Sequence, residues 1–356
     1  MDRMELDRQI PRLLLRWYRE NKRPLPWRED REPYHVWISE VMCQQTRVEA
    51  VKGYYRRFLE ALPELRALAE CPDEQLHKLW EGLGYYSRAR NLKRAAEIIV
   101  RDHAGQFPAD YASIRALPGI GDYTAAAIAS ICFDLPFPAV DGNVLRVVTR
   151  LTASRLDITQ EAAKAEVRES LRPLYNDVPC GELTQALMEL GALICVPNHE
   201  PSCCECPLKP LCASTKEELW KELPLKSAKK PRRTEVYTVF LLSCGERYAL
   251  RRRAERGLLA GLWEFPNLPG RLGPQEALDA AAAWGCRPKA LLRQTERSHV
   301  FTHRNWELPA YRILCEESPE FFTWATLGEI RARYSLPTAF RQFMEDITQD
   351  QTGGTS

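Results

Sequence analysis

Five cysteines fall within the eighteen residues from Cys195 to Cys212, and four of them, Cys195, Cys203, Cys206 and Cys212, take the spacing C-x7-C-x2-C-x5-C. A short proline-rich loop that gathers four thiolates suits zinc or an iron-sulfur cluster, because both take soft, deprotonated sulfur ligands. Disulfide pairing is the competing reading, but the seven other cysteines are scattered without pairing rhythm. Cys204 is the spare, since as a ligand it would leave a single residue before Cys206. Two carboxylates also invite chemistry. Glu40 lies among Trp37, Ile38, Val41 and Met42; desolvation there would raise its pKa and let it hold a proton near neutrality, whereas on the outer face of an amphipathic helix it would be an ordinary ion-pair partner. Asp141, in Val140-Asp-Gly-Asn-Val144, stands at the mouth of a helical run, where Asp is a favoured N-cap. Finally, Leu117-Pro-Gly-Ile-Gly-Asp-Tyr-Thr-Ala125 places Gly119 and Gly121 between two helical patterns. Such a hairpin either simply turns the chain or offers backbone N–H groups at a helix N-terminus to a phosphate, a sequence-independent grip on nucleic acid.

The elements that must position these groups fall into two textures. From about Leu6 to Cys212 the apolar residues follow the helical period, as in Val36–Met42, Leu76–Trp80, Ala125–Ile131 and Leu183–Leu190, with Pro and Gly between them. This predicts an all-helical domain over 1–212 that includes the cysteine loop 195–212. Residues 213–234 are charged and poor in apolar side chains and read as a connector; 235–349 form a second, α+β domain; 350–356 are a flexible tail. In the second domain Glu235–Cys244, Glu246–Arg252 and Trp306–Leu314 are expected strands, and Pro274–Trp284 and Leu327–Tyr334 expected helices. At 356 residues, 45% hydrophobic and 28% charged, the chain has material for two cores. Its first ten residues carry charges where a signal peptide needs an apolar core, and no run is long enough to span a bilayer, so a reducing cytoplasmic setting is expected. A net charge of +2 argues neither for nor against nucleic acid, although Lys226–Arg233 and Arg251–Arg256 are locally basic.

Taken in order, Glu40-Val-Met-Cys-Gln-Gln-Thr46, Trp80-Glu-Gly-Leu-Gly-Tyr-Tyr-Ser-Arg88, the hairpin 117–125, Val140–Val144 and the four-cysteine loop resemble the MutY family of adenine DNA glycosylases. The resemblance covers most of Leu25–Cys212 and resumes at Gly257–Pro266 and Phe301-Thr-His303. It implies a helix-hairpin-helix glycosylase fold of two helical subdomains with a 4Fe-4S cluster on Cys195, Cys203, Cys206 and Cys212, followed by a Nudix-like domain. The implied substrate is adenine opposite 8-oxoguanine or guanine in double-stranded DNA, handled by a monomer with no membrane contact.

Within that resemblance Glu40 is the acid that protonates the departing adenine, and Asp141 stabilises the oxocarbenium sugar or captures it transiently. Asn143 orients Asp141, and Tyr123 faces the same pocket. Gln45, Thr46 and Tyr85 belong to the segments that open the duplex as the adenine is flipped, Gly119 and Gly121 grip the backbone, and Trp27 and Arg28 line the adenine pocket. Phe301, Thr302 and His303 read 8-oxoguanine. Outside the resemblance, Trp27 would be a core plug and Tyr123 a packed tyrosine with its hydroxyl satisfied.

Two departures stand out. The family carries Ser where this chain has Thr302, and six residues between the first two cysteines where this chain has seven. A one-residue extension costs a loop little entropy. Lys209 and Lys216 beside the cysteines suit either a DNA-contacting loop or plain solvated charge. The candidate Nudix helix, Pro274–Trp284, holds one Glu and one Asp, too few to hold magnesium for diphosphate hydrolysis. Tyr123 occupies the place where endonuclease III-like relatives carry a Schiff-base lysine, so a monofunctional glycosylase is expected rather than a glycosylase/lyase for oxidised pyrimidines. The presence of both Glu40 and Asp141 argues against a noncatalytic lesion-binding protein.

Overall fold

A computed structural model of the chain describes residues 3–215, 218–228 and 231–348, with side chains from residue 7 onward. Lys216 of the cysteine region, part of the basic run 226–233 and the tail 350–356 lie outside the described residues. Contacts group the chain into two units, residues 1–70 with 91–228 and residues 71–90 with 229–356. Among the described residues no helix is long and apolar enough to cross a membrane.

Among the described residues, eleven α-helices precede the first strand: α1 (Arg3–Asn21), α2 (Pro33–Cys43), α3 (Val48–Ala61), α4 (Leu65–Glu70), α5 (Asp73–Leu79), α6 (Ser87–Asp102), α7 (Tyr111–Ala116), α8 (Asp122–Phe133), α9 (Gly142–Leu151), α10 (Glu161–Leu171) and α11 (Cys180–Leu193). The first unit is organised around α8, whose residues Thr124 to Ile131 are all buried. Its alanines let neighbours come close. Gly181, at the start of α11, lies so near that a Cβ there would stand 2.9 Å from the Ser130 carbonyl oxygen. α2 is apolar on almost every side, and Val36 packs with Ala126, Ala127, Ile131 and Ala139. α1, α9 and α11 share a second core built from Leu14, Val144, Val148, Leu183, Leu187 and Leu190.

Ser214, Trp220 and Leu223 are tied to Arg150 of α9. The Arg150 guanidinium donates to the carbonyls of Val196, Trp220 and Leu223, Ser214 Oγ donates to the Arg150 carbonyl, and Leu223 is buried.

The second unit holds a seven-stranded mixed sheet. Its strands are β1 (Arg233–Cys244), β2 (Arg247–Arg252), β3 (Trp263–Glu264), β4 (Asn267–Pro269), β5 (Pro288–Val300), β6 (Arg304–Cys315) and β7 (Thr323–Thr326), with helices α12 (Pro274–Ala283), α13 (Leu327–Arg333), α14 (Thr338–Arg341) and α15 (Met344–Thr348). The main order is β3-β2-β1-β6-β5; β1 and β6 run parallel, β5 antiparallel to β6, and β4 and β7 pair with β1 and β2. Alternation along β1 fills two cores. Val239 and Leu241 face Trp306, Leu308, Phe340 and Phe343, while Phe240 and Leu242 face Ala277, Ala281, Tyr311 and Ile313. The sheet is thus covered on both sides by helices.

Candidate active site

Three helices of the first unit deliver Glu40, Tyr123 and Asp141. Glu40 projects from the otherwise apolar α2, and the Tyr123 phenol donates to its Oε2 at 2.5 Å. Burial pushes the Glu40 pKa up to about 7; the Tyr123 hydrogen bond opposes that rise, and the nearby Asp141 charge adds to it. Burial likewise raises Tyr123 well above a free phenol, so it remains a neutral donor. Asp141 is the N-cap of α9: Oδ1 accepts from Val144 N at 2.7 Å and Oδ2 from Asn143 Nδ2 at 2.8 Å. Burial raises its pKa too, against the backbone and Asn143 hydrogen bonds that favour the ion. Asp141 is thus an N-cap, as its place before a helical run suggests, and it keeps this role with a buried carboxyl beside Glu40. One carboxyl is poised to keep its proton near neutrality while the other is surrounded by donors.

The hairpin lies between α7 and α8. Gly119 has φ +75°, and a Cβ there would meet Asn91 Cβ at 2.6 Å, so both backbone angle and space demand glycine. Gly121 caps α8 and is open to solvent, with nothing within 4 Å of a built Cβ. Thr46 follows α2 in the turn that also holds Gln45; Gln45 is exposed at φ +62°. Trp27 is buried, its ring edge-on to Tyr55 at 5.4 Å. Arg28 turns to Glu189, donating to Oε2 at 2.8 Å.

Glu189 was not singled out from sequence, although a Glu inside the apolar run Leu183–Leu190 is itself a signal. Its side chain is 1% exposed and is gripped by Arg23 as well, at 2.8 and 2.9 Å. Burial alone would raise its pKa, but the hydrogen bonds from Arg23 and Arg28 prevail and hold it down to about 2. Arg146, one turn into α9, was missed as well. Its guanidinium donates to Asn143 Oδ1 at 2.8 Å, to the Gly191 carbonyl at 2.7 Å and to the Cys195 carbonyl at 2.7 Å. The helix that carries Asp141 is thereby pinned to α11 and to the start of the cysteine loop.

Cys195, Cys203, Cys206 and Cys212 line one cavity of about 40 Å³ together with Ile194, Pro201 and Trp220. Cys204 is exposed and does not line it. Among the described residues no three His, Cys, Asp or Glu side chains are grouped so as to hold a metal ion; the four thiols ring a gap. Arg150 Nη1 lies 3.4 Å from Cys195 Sγ. Burial chiefly, with the neighbouring thiols adding to it, pushes Cys206 up to about 11, so thiolates here need a cationic partner. The seven-residue interval is closed by Ser202 N donating to the Ile194 carbonyl at 3.1 Å, and residues 197–200 are exposed. The four cysteines fit an iron-sulfur group.

In the second unit Tyr85, Phe301, Thr302 and His303 line a cavity of about 410 Å³ with Leu258, Ala260 and His299. Phe301 to Arg304 form the turn between β5 and β6, closed by Phe301 N donating to the Arg304 carbonyl. Phe301 packs on Trp306 and His299, while Thr302 and His303 are exposed. Tyr85, 52% exposed and at φ +46°, places its hydroxyl 2.6 Å from Thr302 Oγ1. On α12, Glu276 accepts from Gly273 N and Asp279 from Gln275.

Residues 38–173 match the model of the HhH-GPD superfamily of base excision DNA repair proteins, and residues 238–346 match the NUDIX domain model. The adenine DNA glycosylase of Mus musculus is 32% identical over 96% of this chain and 79% of its own, and that of Homo sapiens 32% identical over 96% and 74%. The adenine DNA glycosylase of Buchnera aphidicola from Acyrthosiphon pisum is 33% identical over 82% of this chain and 81% of its own. Among solved structures, a thermostable thymine-DNA glycosylase superposes with TM-score 0.55 at 27% identity, covering 61% of this chain and all of that one. Endonuclease III in a non-covalent DNA complex shares the helical fold, with TM-score 0.52 at 23% identity over 62% of this chain and 99% of its own.

Proposed function

The chain belongs to the adenine DNA glycosylase family, and from that premise we propose that it hydrolyses the N-glycosidic bond of adenine opposite 8-oxoguanine or guanine in duplex DNA, leaving an abasic site. The observation that carries this is the unequal pair of carboxyls that feel each other's charge, Glu40 with its pKa raised to about 7 and Asp141 held by hydrogen-bond donors. An acid with that pKa is about half protonated at neutral pH. With Tyr123 bonded to Oε2, the transferable proton sits on Glu40 Oε1.

The reaction begins when that proton passes to adenine N7. The bond from C1′ to N9 then breaks with its electron pair going to the base, which departs neutral. Ionised Asp141 stabilises the positive charge left on the sugar, and Asn143 keeps its carboxylate oriented. Water adds at C1′, giving its proton to the Glu40 carboxylate and restoring the acid. A phenol at position 123 cannot form a Schiff base, so strand cleavage does not follow.

The base must leave the stack to reach this pocket. Gln45 and Tyr85, exposed non-glycine residues at positive φ, are suited to fill the space it vacates, and such backbone strain is more usual at functional turns than elsewhere. Thr46 flanks that opening, Trp27 and Arg28 border the adenine pocket, and the amides at Gly119 to Gly121 take a backbone phosphate. Phe301, Thr302 and His303 read the oxidised base from their cavity, and a cavity of about 410 Å³ is within the usual range for small ligands. Glu276 and Asp279 serve their own helix, which supports a Nudix-like domain that reads rather than hydrolyses.

Cys195, Cys203, Cys206 and Cys212 would hold a 4Fe-4S cluster, since they ring a gap rather than meet at a point. When bound, the cluster supplies the cations that neutralise these thiolates and order the loop. The direct test is adenine release from a duplex with A opposite 8-oxoguanine under single-turnover conditions. Release that is lost in Glu40→Gln and in Asp141→Asn, with duplex binding kept, supports the reading; undiminished release in either variant overturns the assignment.

A further inference from the structure

Gly191, in the last turn of α11, is not held there by backbone angle. Its φ is not among the positive values, so any residue could adopt its conformation, and glycine inside a helix costs about 1 kcal/mol relative to alanine. Its requirement is spatial. A Cβ on Gly191 would lie 2.6 Å from Asn143 Cβ and 3.1 Å from both the Asn143 Cα and its carbonyl oxygen. These are not the far end of a flexible side chain; they are the root of Asn143 and the first turn of α9. Either that turn or α11 has to shift.

What would move matters to the site. Asn143 Nδ2 holds Asp141 Oδ2 at 2.8 Å. Arg146 Nη2 donates both to Asn143 Oδ1 and to the carbonyl of Gly191 itself, at 2.8 and 2.7 Å. Gly191 thus touches Asn143 through its missing side chain and again through its carbonyl.

We propose that Gly191 is a positioning residue for Asp141: by letting α11 lie against the first turn of α9, it fixes Asn143 and, through Asn143, the direction of the Asp141 carboxylate. The proposal rests on the reading that ionised Asp141 serves glycosidic cleavage. Gly181, at the other end of the same helix, provides the control. A Cβ there would strike the backbone of Ser130 and Ile131 on α8, so Gly181→Ala disturbs helix packing without touching Asn143.

The test compares Gly191→Ala, Gly181→Ala, Asn143→Gly and the double variant Gly191→Ala/Asn143→Gly, all with the cluster loaded. Adenine release in single turnover, duplex binding and thermal melting are measured for each. Gly191→Ala is expected to release adenine about 10- to 100-fold more slowly while binding duplex normally. Because Asp141 loses a donor, the low-pH limb of its rate profile moves to higher pH. Gly181→Ala, where folded, keeps the native rate and profile. The double variant releases adenine no more slowly than Asn143→Gly and melts higher than Gly191→Ala, because the closest contact, with Asn143 Cβ, has gone while the two backbone contacts at 3.1 Å remain.

A folded Gly191→Ala protein with native rate and native pH profile overturns the proposal. So does a rate loss that adds in full to that of Asn143→Gly. If Gly191→Ala does not fold, a double variant that also fails to fold overturns it, and one that folds supports it. Native protein that releases no adenine at all would instead sink the underlying functional reading.

Discussion

Glu40, Tyr123 and Asp141 sit on helices packed on nearly every side, whereas Tyr85, Thr302 and His303 stand on turns with their side chains in solvent. In the helical pocket each polar group is bonded to another before any substrate arrives, and burial has already set which carboxyl keeps a proton. In the turn 301–304 Phe301 is packed against Trp306 and His299, while Thr302 and His303 are exposed and Thr302 bonds only the exposed Tyr85 hydroxyl through its side chain. Under the proposed function, the difference suits two different tasks. A bond-breaking site gains from fixed, partly desolvated charges, while a site that meets a base on a flexing duplex needs adaptable contacts.

The contrast is sharpened first by Glu40→Gln, which should lower the rate of adenine release by about a thousandfold or more with little change in duplex binding. The same change should stabilise the fold at alkaline pH. A carboxyl whose folded pKa is about 7, against an ordinary value of 4.5, contributes stability below the lower value that is lost as pH rises through the upper one. Melting at pH 8 should show the glutamine variant more stable by about 2 kcal/mol, and the gap should close near pH 4. A variant that melts no higher at pH 8 would break the link between burial and protonation.

Glu189→Ala tests whether the charge network beneath the pocket is structural. It strands two guanidinium groups, Arg23 and Arg28, beside a buried gap, and denaturant unfolding should register a loss of about 3 kcal/mol. Next in size, Cys203→Ser should remove the visible absorption expected of the proposed cluster and weaken DNA binding, whereas Cys204→Ser leaves both intact; the iron content of the two purified proteins decides. The smallest effect belongs to the reading turn. Thr302→Ala should reduce the preference for A opposite 8-oxoguanine over A opposite guanine by about fivefold, the worth of one hydrogen bond, with adenine release at saturating enzyme nearly unchanged. A large loss of saturated rate in that variant would erase the division between the two regions.

The helices of the pocket were readable because their apolar residues repeat with the helical period, and the strands β1 and β6 because they are nearly continuous apolar runs. β5 escaped notice for a physical reason. It lies at the sheet edge, and its thirteen residues include Lys289, Arg293, Glu296 and Arg297, the charges an exposed edge carries to discourage further pairing. Glu40 and Asp141 could be found as a glutamate in an apolar helix and an aspartate before a helix. Arg146 and Gly191 could not. Their importance lies in a contact between α9 and α11, residues far apart in sequence, and nothing in either local pattern marks it.

The pH dependence of adenine release in single turnover, on a duplex with A opposite 8-oxoguanine, bears most directly on the claim that Glu40 carries the proton. The account predicts a rate that falls tenfold per pH unit above about 7, with this limb abolished in Glu40→Gln. A rate that stays level or climbs as the pH rises from 7 to 9 would contradict it.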